Sequence, residues 1–493
     1  MIKSHSLTTD ASNNRGAMRI ATLQIAPSYG QIGICFCPGK KQVGALSGVW
    51  DRDLDVDLDA IAAWNASAVV TLVEDHELVA LKVERLGDAV RARHMDWVHL
   101  PIRDFSIPGP AFEQAWVTVG AQLRARLQNG FNVFIHCKGG IGRAGTVAAR
   151  LLAELNVNPH EAIAAVRAVR PGAIETAEQE RYVLRQVSTR AVMPDTSAAA
   201  IRDRAVGALL GLAIGDAVGT TLEFKTRDSY PMLTDMIGGG PFGLKPGEWT
   251  DDTAMALALA DSLLLGNDLD EADLLGRFVE WHEVGAYSCT GRCFDIGTIT
   301  SQGLRRWRQT GSVVAGSNHD QAGNGSLMRL APVAVRFWRD RAKLRDIAAR
   351  QSRTTHGAHE AVDACIAYAE ALADAIEGQP MTEVLRAWTE PYAGRIGDIM
   401  AGSWRGKHRD TVKASGYVAH SLEASLWSVG RTSSFKDAVL LAANLGEDAD
   451  TTAAIAGQLG GALYGAVALP ETWRARVAWS DRITTVANAL FDS

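Results

Sequence analysis

Apolar residues form two kinds of run before about residue 190. Three short β-branched runs predict buried strands at SAVVTLV (67–73), WVHLPI (97–102) and FNVFIHC (131–137). Between them, residues 111–130 carry apolar side chains at helical spacing and end at Gly130. Helical patterns also follow the third run. Strands that alternate with helices predict an α/β layer fold with a partly parallel central sheet.

Beyond about residue 200 the pattern changes to long runs of alanine, leucine and glycine without strand-like alternation. Residues 251–266 are apolar nearly all round, and 451–468 add small residues that allow close helix approach, so both predict buried helices. The most apolar run, 205–219, is broken by Asp216 and is shorter than a membrane span. We therefore predict an all-α domain here.

Length and composition set the remaining bounds. The 493 residues exceed one ordinary core, and Pro194 with small polar neighbours predicts a linker, which gives domains at 1–190 and 200–493 joined by 191–199. A net charge of −6 without a long basic run gives no reason to expect a nucleic-acid partner. Six cysteines predict reduced thiols, and the first 30 residues lack a signal-peptide pattern. We expect a cytoplasmic protein without a membrane partner.

The segment HCKGGIGRAGT (136–146) places a cysteine six residues before an arginine, at a predicted strand-to-helix junction. Backbone N–H groups of such a loop can converge on an anion and stabilise a thiolate. Cys137 is therefore the predicted nucleophile toward a phosphate ester, and Arg143 the predicted bidentate phosphate clamp. Asp104 follows a predicted strand and is the predicted general acid. The predicted phosphate-binding loop residues are Lys138, Gly139, Gly140, Ile141 and Gly142.

With SYGQIGICFCPGKK (28–41), HLPIRD (99–104) and RPGAIETAEQERYVLRQ (170–186), this region resembles cysteine-dependent dual-specificity phosphatases of the kinase-associated, cyclin-dependent kinase inhibitor type. The resemblance covers about residues 20–190 and implies a phosphatase that needs no cofactor. It implies that Gln179 places the hydrolytic water, with Glu175 where relatives often keep a second glutamine. Ala144 stands where relatives usually have a serine or threonine, whose hydroxyl helps the thiolate leave the phosphocysteine. Thr146 is one candidate to supply that hydroxyl.

Four of the other cysteines are interpreted as structural residues rather than as catalytic or metal-binding ones. Cys35 and Cys37 have no matching second pair or histidine motif nearby, so we interpret them as core thiols rather than a metal site. Cys289 and Cys293 have the same interpretation.

Two acidic motifs lie about 200 residues apart, EWTDDTAMA (248–256) and GEDADTTAA (446–454). Each places two carboxylates and a threonine at the start of a predicted helix. Mg²⁺ and Mn²⁺ prefer these oxygen ligands, and two facing clusters could hold two such cations. Aspartate and threonine are also ordinary helix N-caps, so the prediction depends on the pair.

The second half is similar to the ADP-ribosylglycohydrolase family in GALLGLAIGDAVGTTLEF (207–224), GRCFDIGTIT (291–300), GNGSLMRLAPVA (323–334) and THGAHEAV (355–362), besides both acidic motifs. The resemblance implies two divalent cations, Mg²⁺ or Mn²⁺, held by Thr250, Asp251, Asp252, Asp448, Asp450 and Thr451. It implies that Glu223 lies beside the metals and Asp295 near the scissile bond. It also implies a nucleotide site formed by Gly323, Asn324, Gly325, Ser326, Leu327, Met328 and His356.

The sequence therefore predicts a bifunctional hydrolase. Its expected substrates are an ADP-ribosylated protein or an ADP-ribose-containing small molecule, and a phosphorylated protein or metabolite. Two alternatives stay open: both domains process one phosphorylated ADP-ribose metabolite, or the first domain only binds phosphate and targets the second.

Overall fold

The computed structural model describes residues 3–4, 18–45, 48–318, 321–390, 392 and 394–493. The chain divides into two compact units, Met1–Val192 and Met193–Ser493, called unit 1 and unit 2 below. The division falls inside the predicted linker. The first helix of unit 2 begins at Ala198, where Ser197 accepts a hydrogen bond from the Ala200 N–H as its N-cap.

Unit 1 contains a six-stranded mixed sheet with the order β1-β2-β3-β8-β6-β7 and a separate β4–β5 pair. The strands are β1 (Lys3–Ser4), β2 (Ala21–Gln24), β3 (Gln31–Cys35), β4 (Lys41–Ala45), β5 (Gly48–Asp51), β6 (Ala66–Thr71), β7 (Asp96–His99) and β8 (Asn132–His136). Strands β3, β8, β6 and β7 run parallel, whereas β1 and β2 add antiparallel. The predicted α/β layer fold with a partly parallel sheet is confirmed.

Helices cover both faces of the described sheet. They are α1 (Leu54–Ala63), α2 (Asp75–Ala80), α3 (Leu86–Arg91), α4 (Pro110–Gln128), α5 (Gly142–Glu154), α6 (Pro159–Val169) and α7 (Ala177–Leu184). Successive residues of β8 point to opposite faces, so Val133 and Ile135 join the core under α4–α7, and Phe134 joins the core under α1–α3. This two-sided burial explains why β8 is a continuous apolar run.

The regular secondary structure in the described part of unit 2 is helical, apart from two isolated β-bridges. Its helices are α8 (Ala198–Gly219), α9 (Asp251–Leu263), α10 (Glu271–Val284), α11 (Thr298–Thr310), α12 (Ala331–Phe337), α13 (Arg341–Thr355), α14 (His359–Glu377), α15 (Met381–Val384), α16 (Gly394–Met400), α17 (Val418–Arg431), α18 (Phe435–Ala443), α19 (Ala449–Tyr464), α20 (Glu471–Arg476) and α21 (Ser480–Asp492). The predicted all-α fold is confirmed.

Helices α8 and α19 are antiparallel and touch backbone to backbone. A Cβ atom on Gly207, Gly211, Gly215 or Gly219 would lie 2.2–2.3 Å from a carbonyl oxygen of α19. These glycines repeat every fourth residue and therefore share one face of α8. The close contact brings the end of α8 next to the start of α19, where the second acidic motif lies.

The stretch Ala198–Leu222 is long and apolar enough to cross a membrane by length and composition alone, with mean hydropathy 1.6, yet 94% of that window is buried inside the protein. A core helix gives the same signal. The packing against α19 accounts for the apolar character of α8.

Candidate active sites

The loop between β8 and α5 carries the predicted thiol. Cys137 is 3% exposed, and the Gly140 N–H donates a hydrogen bond to its Sγ atom at 3.2 Å. Gly140 has φ +67°, and a Cβ there would lie 2.2 Å from the carbonyl carbon of Cys35. Only glycine fits a left-handed position this close to another strand, so the neighbouring strand β3 fixes the loop.

Arg170 ties down the same loop. Its Nε donates to the Gly140 carbonyl and its Nη2 to the Gly139 carbonyl, each at 2.9 Å. Because a trans peptide places its N–H opposite its C=O, these two bonds also set the direction of the next two N–H groups. Sequence reasoning did not single out Arg170, although the quoted RPGAIET segment begins with it.

Arg143 lies under the loop and is almost wholly buried. Its Nη1 and Nη2 bind the two carboxylate oxygens of Glu77 at 2.5 and 3.0 Å, and Nη1 also donates to the Ile102 carbonyl at 2.9 Å. Asp104 Oδ1 lies 3.0 Å from Nη2. The structure thus brings together Cys137, Arg143 and Asp104, as the sequence predicts, and adds Glu77 as the carboxylate that holds the guanidinium.

Glu77 remains ionised in this position. Its burial acts to raise the pKa of the carboxyl group, but the hydrogen bonds from Arg143 and the Glu74 N–H outweigh it and hold the pKa below the ordinary value. An ionised Glu77 fixes the plane of Arg143 by a two-point contact.

Gln179 is fully buried and its side-chain amide bonds to backbone. Its Nε2 donates to the Ser106 carbonyl at 3.1 Å, and its Oε1 accepts from the Glu175 N–H at 2.9 Å. Glu175 is closer to the loop, because a Cβ on Gly142 would lie 2.2 Å from its Oε2. Partial burial raises the pKa of Glu175, and the nearby Asp104 adds to this. The water-placing role of Gln179 stays a prediction.

Ala144 leaves the position after Arg143 without a hydroxyl group. The nearby Thr146 has a hydroxyl, but that group is hydrogen-bonded to the helix backbone. The Thr146 Oγ1 donates to the Gly142 carbonyl at 2.8 Å. Such a bond to the residue four positions earlier is a local helix contact. The proton of Thr146 is therefore committed to backbone in this structure.

Two further groups border the loop. Lys40 is 3% exposed, donates to the Lys138 carbonyl at 3.2 Å and lies 3.6 Å from the Trp50 ring centroid. Burial lowers the pKa of Lys40 to about 8. Cys35 and Cys37 are fully buried, and burial raises the pKa of both thiols, that of Cys35 to about 11.

Unit 2 contains a cavity of about 510 Å³ at the start of α19. Its lining includes the predicted residues Glu223, Asp251, Asp295, Gly323, Asn324, Gly325, Met328, His356, Asp448, Asp450 and Thr451. Thr250 and Asp252 are buried and do not line the cavity, but the Thr250 hydroxyl donates to Asp450 at 3.3 Å. Ser326 and Leu327 are fully buried and do not line the cavity, and Ser326 instead accepts a hydrogen bond from the Ser352 hydroxyl at 2.9 Å. The structure thus brings together most of the predicted site.

Asp216 of α8 belongs to the site, although the sequence did not predict it as a site residue. Its Oδ1 accepts from the N–H and hydroxyl of Thr250, each at 2.9 Å, and its Oδ2 accepts from the N–H and hydroxyl of Thr253 at 3.0 and 2.6 Å. Asp216 therefore fixes the first turn of α9. The sequence signal for this role was a single acidic residue in an otherwise apolar run.

Two groups of carboxylates lie close enough to share a cation, and they have Asp450 in common. The groups are Asp216 with Asp252 and Asp450, and Glu223 with Asp448 and Asp450. The Oδ1 of Asp252 is buried and has no hydrogen-bond partner among the described residues. A buried carboxylate oxygen without a donor is a costly arrangement unless a cation lies beside it. The donor set therefore fits divalent cations.

The same crowding changes the acidity of these groups. Burial, and then repulsion from Asp450, raises the pKa of Asp216 and of Asp448 to about 7. Burial likewise raises the pKa of Asp295 and Asp450 to about 6 and that of Glu223 far above its usual range. Bound cations would relieve this repulsion.

His356 packs against the glycine-rich loop that lines the cavity. A Cβ on Gly325 would lie 2.7 Å from the His356 ring, and one on Gly323 would lie 3.2 Å from its Nε2. The ring nitrogen Nδ1 is 2.8 Å from the Thr355 hydroxyl. Burial lowers the pKa of His356 to about 3, so the ring is neutral. A neutral ring and bare glycine backbone give this side of the cavity no positive side chain.

The folds and sites define a hydrolase with a phosphatase-like α/β unit followed by an acid-lined helical unit. The family model described as ADP-ribosylglycohydrolase matches residues 197–493, and the one described as "Swiss Army Knife protein, DSP-PTPase phosphatase domain" matches residues 44–183. The chain belongs to the ADP-ribosylglycohydrolase family and carries a dual-specificity phosphatase domain in front of that region.

Several known proteins resemble unit 2. The ADP-ribosylarginine hydrolase Tri1 of Pseudomonas putida is 48% identical over 292 residues, which cover 59% of this chain and 78% of the relative. The ADP-ribosyl-[dinitrogen reductase] glycohydrolase of Rhodospirillum rubrum is 34% identical over 56% of this chain and 91% of its own length. A solved "ADP-ribosylglycohydrolase-related protein complex" is 36% identical with a TM-score of 0.53, over 59% of this chain and 98% of that chain.

Proposed function

We propose that unit 2 releases ADP-ribose from modified arginine side chains in a reaction that requires divalent cations, Mg²⁺ or Mn²⁺. The observation that carries this proposal is the charge of the cavity. Six carboxylates line it (Glu223, Asp251, Asp295, Glu447, Asp448 and Asp450), and the described lining contains no lysine or arginine. A diphosphate cannot enter such a cavity unless cations neutralise it. The relative at 48% identity is named for ADP-ribosylarginine, which supports the choice of arginine.

The residues that would hold the cations are Thr250, Asp251, Asp252, Glu223, Asp448, Asp450 and Thr451. When bound, divalent cations supply Lewis acidity and a template for ribose hydroxyls and water. In the reaction, water adds to the anomeric carbon of the ribose and gives up a proton, the bond from that carbon to the guanidine nitrogen breaks, and the nitrogen takes a proton. Asp295 lines the cavity, and we assign to its carboxylate the transfer of the proton from the water to that nitrogen, since burial raises its pKa to about 6.

The test is release of ADP-ribose from ADP-ribosylagmatine by the full chain, measured by chromatography. We expect activity that EDTA abolishes and that Mg²⁺ or Mn²⁺ restores. Asp252→Asn should lose at least about a hundredfold in rate, as expected when a metal ligand is lost. Asp410→Asn makes the same chemical change at an exposed residue outside the cavity and should keep the activity. Activity that survives complete removal of metal would contradict the proposal.

For unit 1, we assign phosphate monoester hydrolysis to the Cys137 loop. The Cys137 sulfur attacks phosphorus, the ester oxygen leaves with a proton from Asp104, and water then cleaves the phosphorus–sulfur bond. Arg143 and the loop N–H groups bind the phosphate oxygens throughout. Phosphorylated proteins and phosphorylated metabolites both present this ester.

Hydrolysis of p-nitrophenyl phosphate tests the assignment. Cys137→Ser should abolish it, and Cys293→Ser, which changes a half-buried thiol in unit 2, should not. Phosphate binding without any turnover by the wild type would instead favour a unit that targets the hydrolase to phosphorylated partners. Ala144 and the engaged Thr146 hydroxyl are the observations in favour of that alternative.

A further inference from the structure

Three phenylalanines from three separate loops contact one another in a row that begins at the acidic cavity with Phe224, and we call Phe224, Phe242 and Phe294 the aromatic rim. The Phe224 and Phe242 rings are 6.2 Å apart at 75°, and the Phe242 and Phe294 rings are 5.2 Å apart at 51°. Phe224 lines the cavity and is 67% exposed. An aromatic ring that remains exposed beside a cavity has a free face for a ligand.

The backbone of this exposed residue has an unfavourable conformation. Phe224 has φ +61° and Glu447 has φ +59°, which is rare for residues with side chains. The Phe224 N–H donates to the Glu447 carbonyl at 2.8 Å, and the Glu447 N–H donates to the Lys225 carbonyl at 2.7 Å. A Cβ on Gly446 would lie 2.5 Å from the same Lys225 carbonyl. Two backbone hydrogen bonds therefore hold Phe224 in a strained conformation, which is a common feature of residues that contact ligands.

The loop of Phe242 is also fixed. Gly240 has φ +67°, and a Cβ there would lie 2.0 Å from the Thr220 carbonyl oxygen. Gly239 and Leu244 pair as an isolated antiparallel bridge on either side of Phe242. The rim is therefore a preformed surface, and a ligand would not have to order it.

Negative charge accompanies the aromatic surface. Asp295 directly follows Phe294 and has φ +60°, and Glu447 is exposed and lines the same cavity as Phe224. A planar cation that stacks on an aromatic face while pairing with carboxylates satisfies both features. Guanidinium is the side-chain group of this kind, and it keeps its charge when one nitrogen bears a ribose.

We propose that the aromatic rim, with Asp295 and Glu447, is the subsite for the guanidinium of the modified arginine. This inference rests on the proposed function of unit 2 and names the residues that select the substrate. The position also argues against adenine as the occupant. Phe224 directly follows Glu223, one of the clustered carboxylates, whereas adenine is separated from the scissile bond by two riboses and a diphosphate.

The experiment compares wild type with Phe224→Leu, which keeps apolar bulk but removes the aromatic face, and Phe224→Tyr, which restores the face. We expect KM for ADP-ribosylagmatine to rise about 3- to 30-fold in Phe224→Leu, as for loss of one cation–π contact. Phe224→Tyr should stay within about twofold of wild type. The inhibition constant of ADP-ribose, which lacks the guanidinium, should change less than about twofold in both variants.

Phe105→Leu is the matched control, because Phe105 is also exposed at 63% with φ +56° but lies in unit 1. An unchanged KM in Phe224→Leu would overturn the proposal. An equal loss of ADP-ribose binding would also overturn it and assign the rim to adenine. Titration of agmatine into the ADP-ribose-bound protein tests the rim separately from hydrolysis. Binding that depends on Phe224 supports the subsite even if arginine linkages are not cleaved, and binding that does not overturns it.

Discussion

Replacing Gly457 by alanine tests whether the backbone contact between α8 and α19 sets the geometry of unit 2. A Cβ at Gly457 would lie 2.1 Å from the Gly211 carbonyl oxygen, and Gly457 is matched on the same helix by Gly460. At Gly460 the nearest atom is Phe435 Cδ2 at 3.2 Å, a side-chain atom that moves easily. The two substitutions gain the same helix propensity, about 1 kcal/mol, so their difference isolates the helix contact.

The magnitude follows from that contact. An ordinary carbon–oxygen contact needs more than about 3 Å, so α8 and α19 must separate by roughly 1 Å in Gly457→Ala. Overpacking of this kind costs about 1–3 kcal/mol. For a unit of this size, that corresponds to a melting temperature roughly 3–10 °C below that of Gly460→Ala. Thermal melting followed by circular dichroism measures the difference. If Gly457→Ala melts at or above Gly460→Ala, the close helix contact is not what holds the unit together.

Three further predictions concern the two sites. In Ala144→Ser the new hydroxyl should stabilise the departing thiolate by about 1.5–3 kcal/mol. The wild type should therefore show a burst of phenol when it is mixed rapidly with an aryl phosphate. The variant should show a smaller burst and a steady-state rate that is roughly 10- to 100-fold faster. In Glu175→Gln, inorganic phosphate should inhibit about fivefold more strongly at pH 7, because the carboxylate beside Gly142 no longer repels the anion. The raised pKa of Glu175 means that this difference should appear as pH rises through that pKa and vanish below it. For the metal-free protein, the free energy of unfolding should fall as pH rises from about 4 to about 7, because the native forms of Asp216 and Asp448 keep protons up to a pKa of about 7 that the unfolded chain has lost.

Each of these has a contrary result. A wild type without a burst, and with turnover unchanged in Ala144→Ser, would mean that an earlier step limits the rate. Equal phosphate inhibition of wild type and Glu175→Gln at every pH would show that the carboxylate does not face the anion. Stability of the metal-free protein that stays constant over the stated pH range, or that Mg²⁺ and Mn²⁺ leave unchanged at pH 7, would contradict the crowded carboxylate cluster.

The sequence was most informative where the chemistry is local. Cys137 and Arg143 lie in one short segment, the loop after β8 and the first turn of α5, so their spacing and the surrounding glycines predicted the arrangement that the structure has. The strands β6, β7 and β8 were predicted because each lies in a short apolar run, although β7 is only half-buried. The strands β2, β4 and β5 were not predicted, since they are short and β4 and β5 are largely exposed.

The residues that hold these site groups in place by hydrogen bonds could not be predicted from the sequence. Glu77 precedes Arg143 by 66 residues, and its neighbours in the chain form an ordinary charged helix end. Asp216 was noticed only as a break in an apolar run, because nothing in its own segment shows that two threonines at the start of α9 donate hydrogen bonds to it. Within the predicted nucleotide loop, Ser326 and Leu327 face the core rather than the cavity. Which residues of a loop face a ligand depends on the packing behind it.

The contact between α8 and α19 also sets the order in which the protein is completed during synthesis. Gly215 of α8 and Ala453 of α19 lie in contact, but a ribosome adding about 5–20 residues per second needs roughly 10–50 s to pass from one to the other. Unit 1 is translated before either helix, so a nascent chain can fold its phosphatase first. During that interval α8 has emerged with its glycine face uncovered, and the acidic groups of the cavity are not yet assembled. A chain stalled before α19 would therefore present a nascent apolar helix to chaperones after its phosphatase domain has already been synthesised.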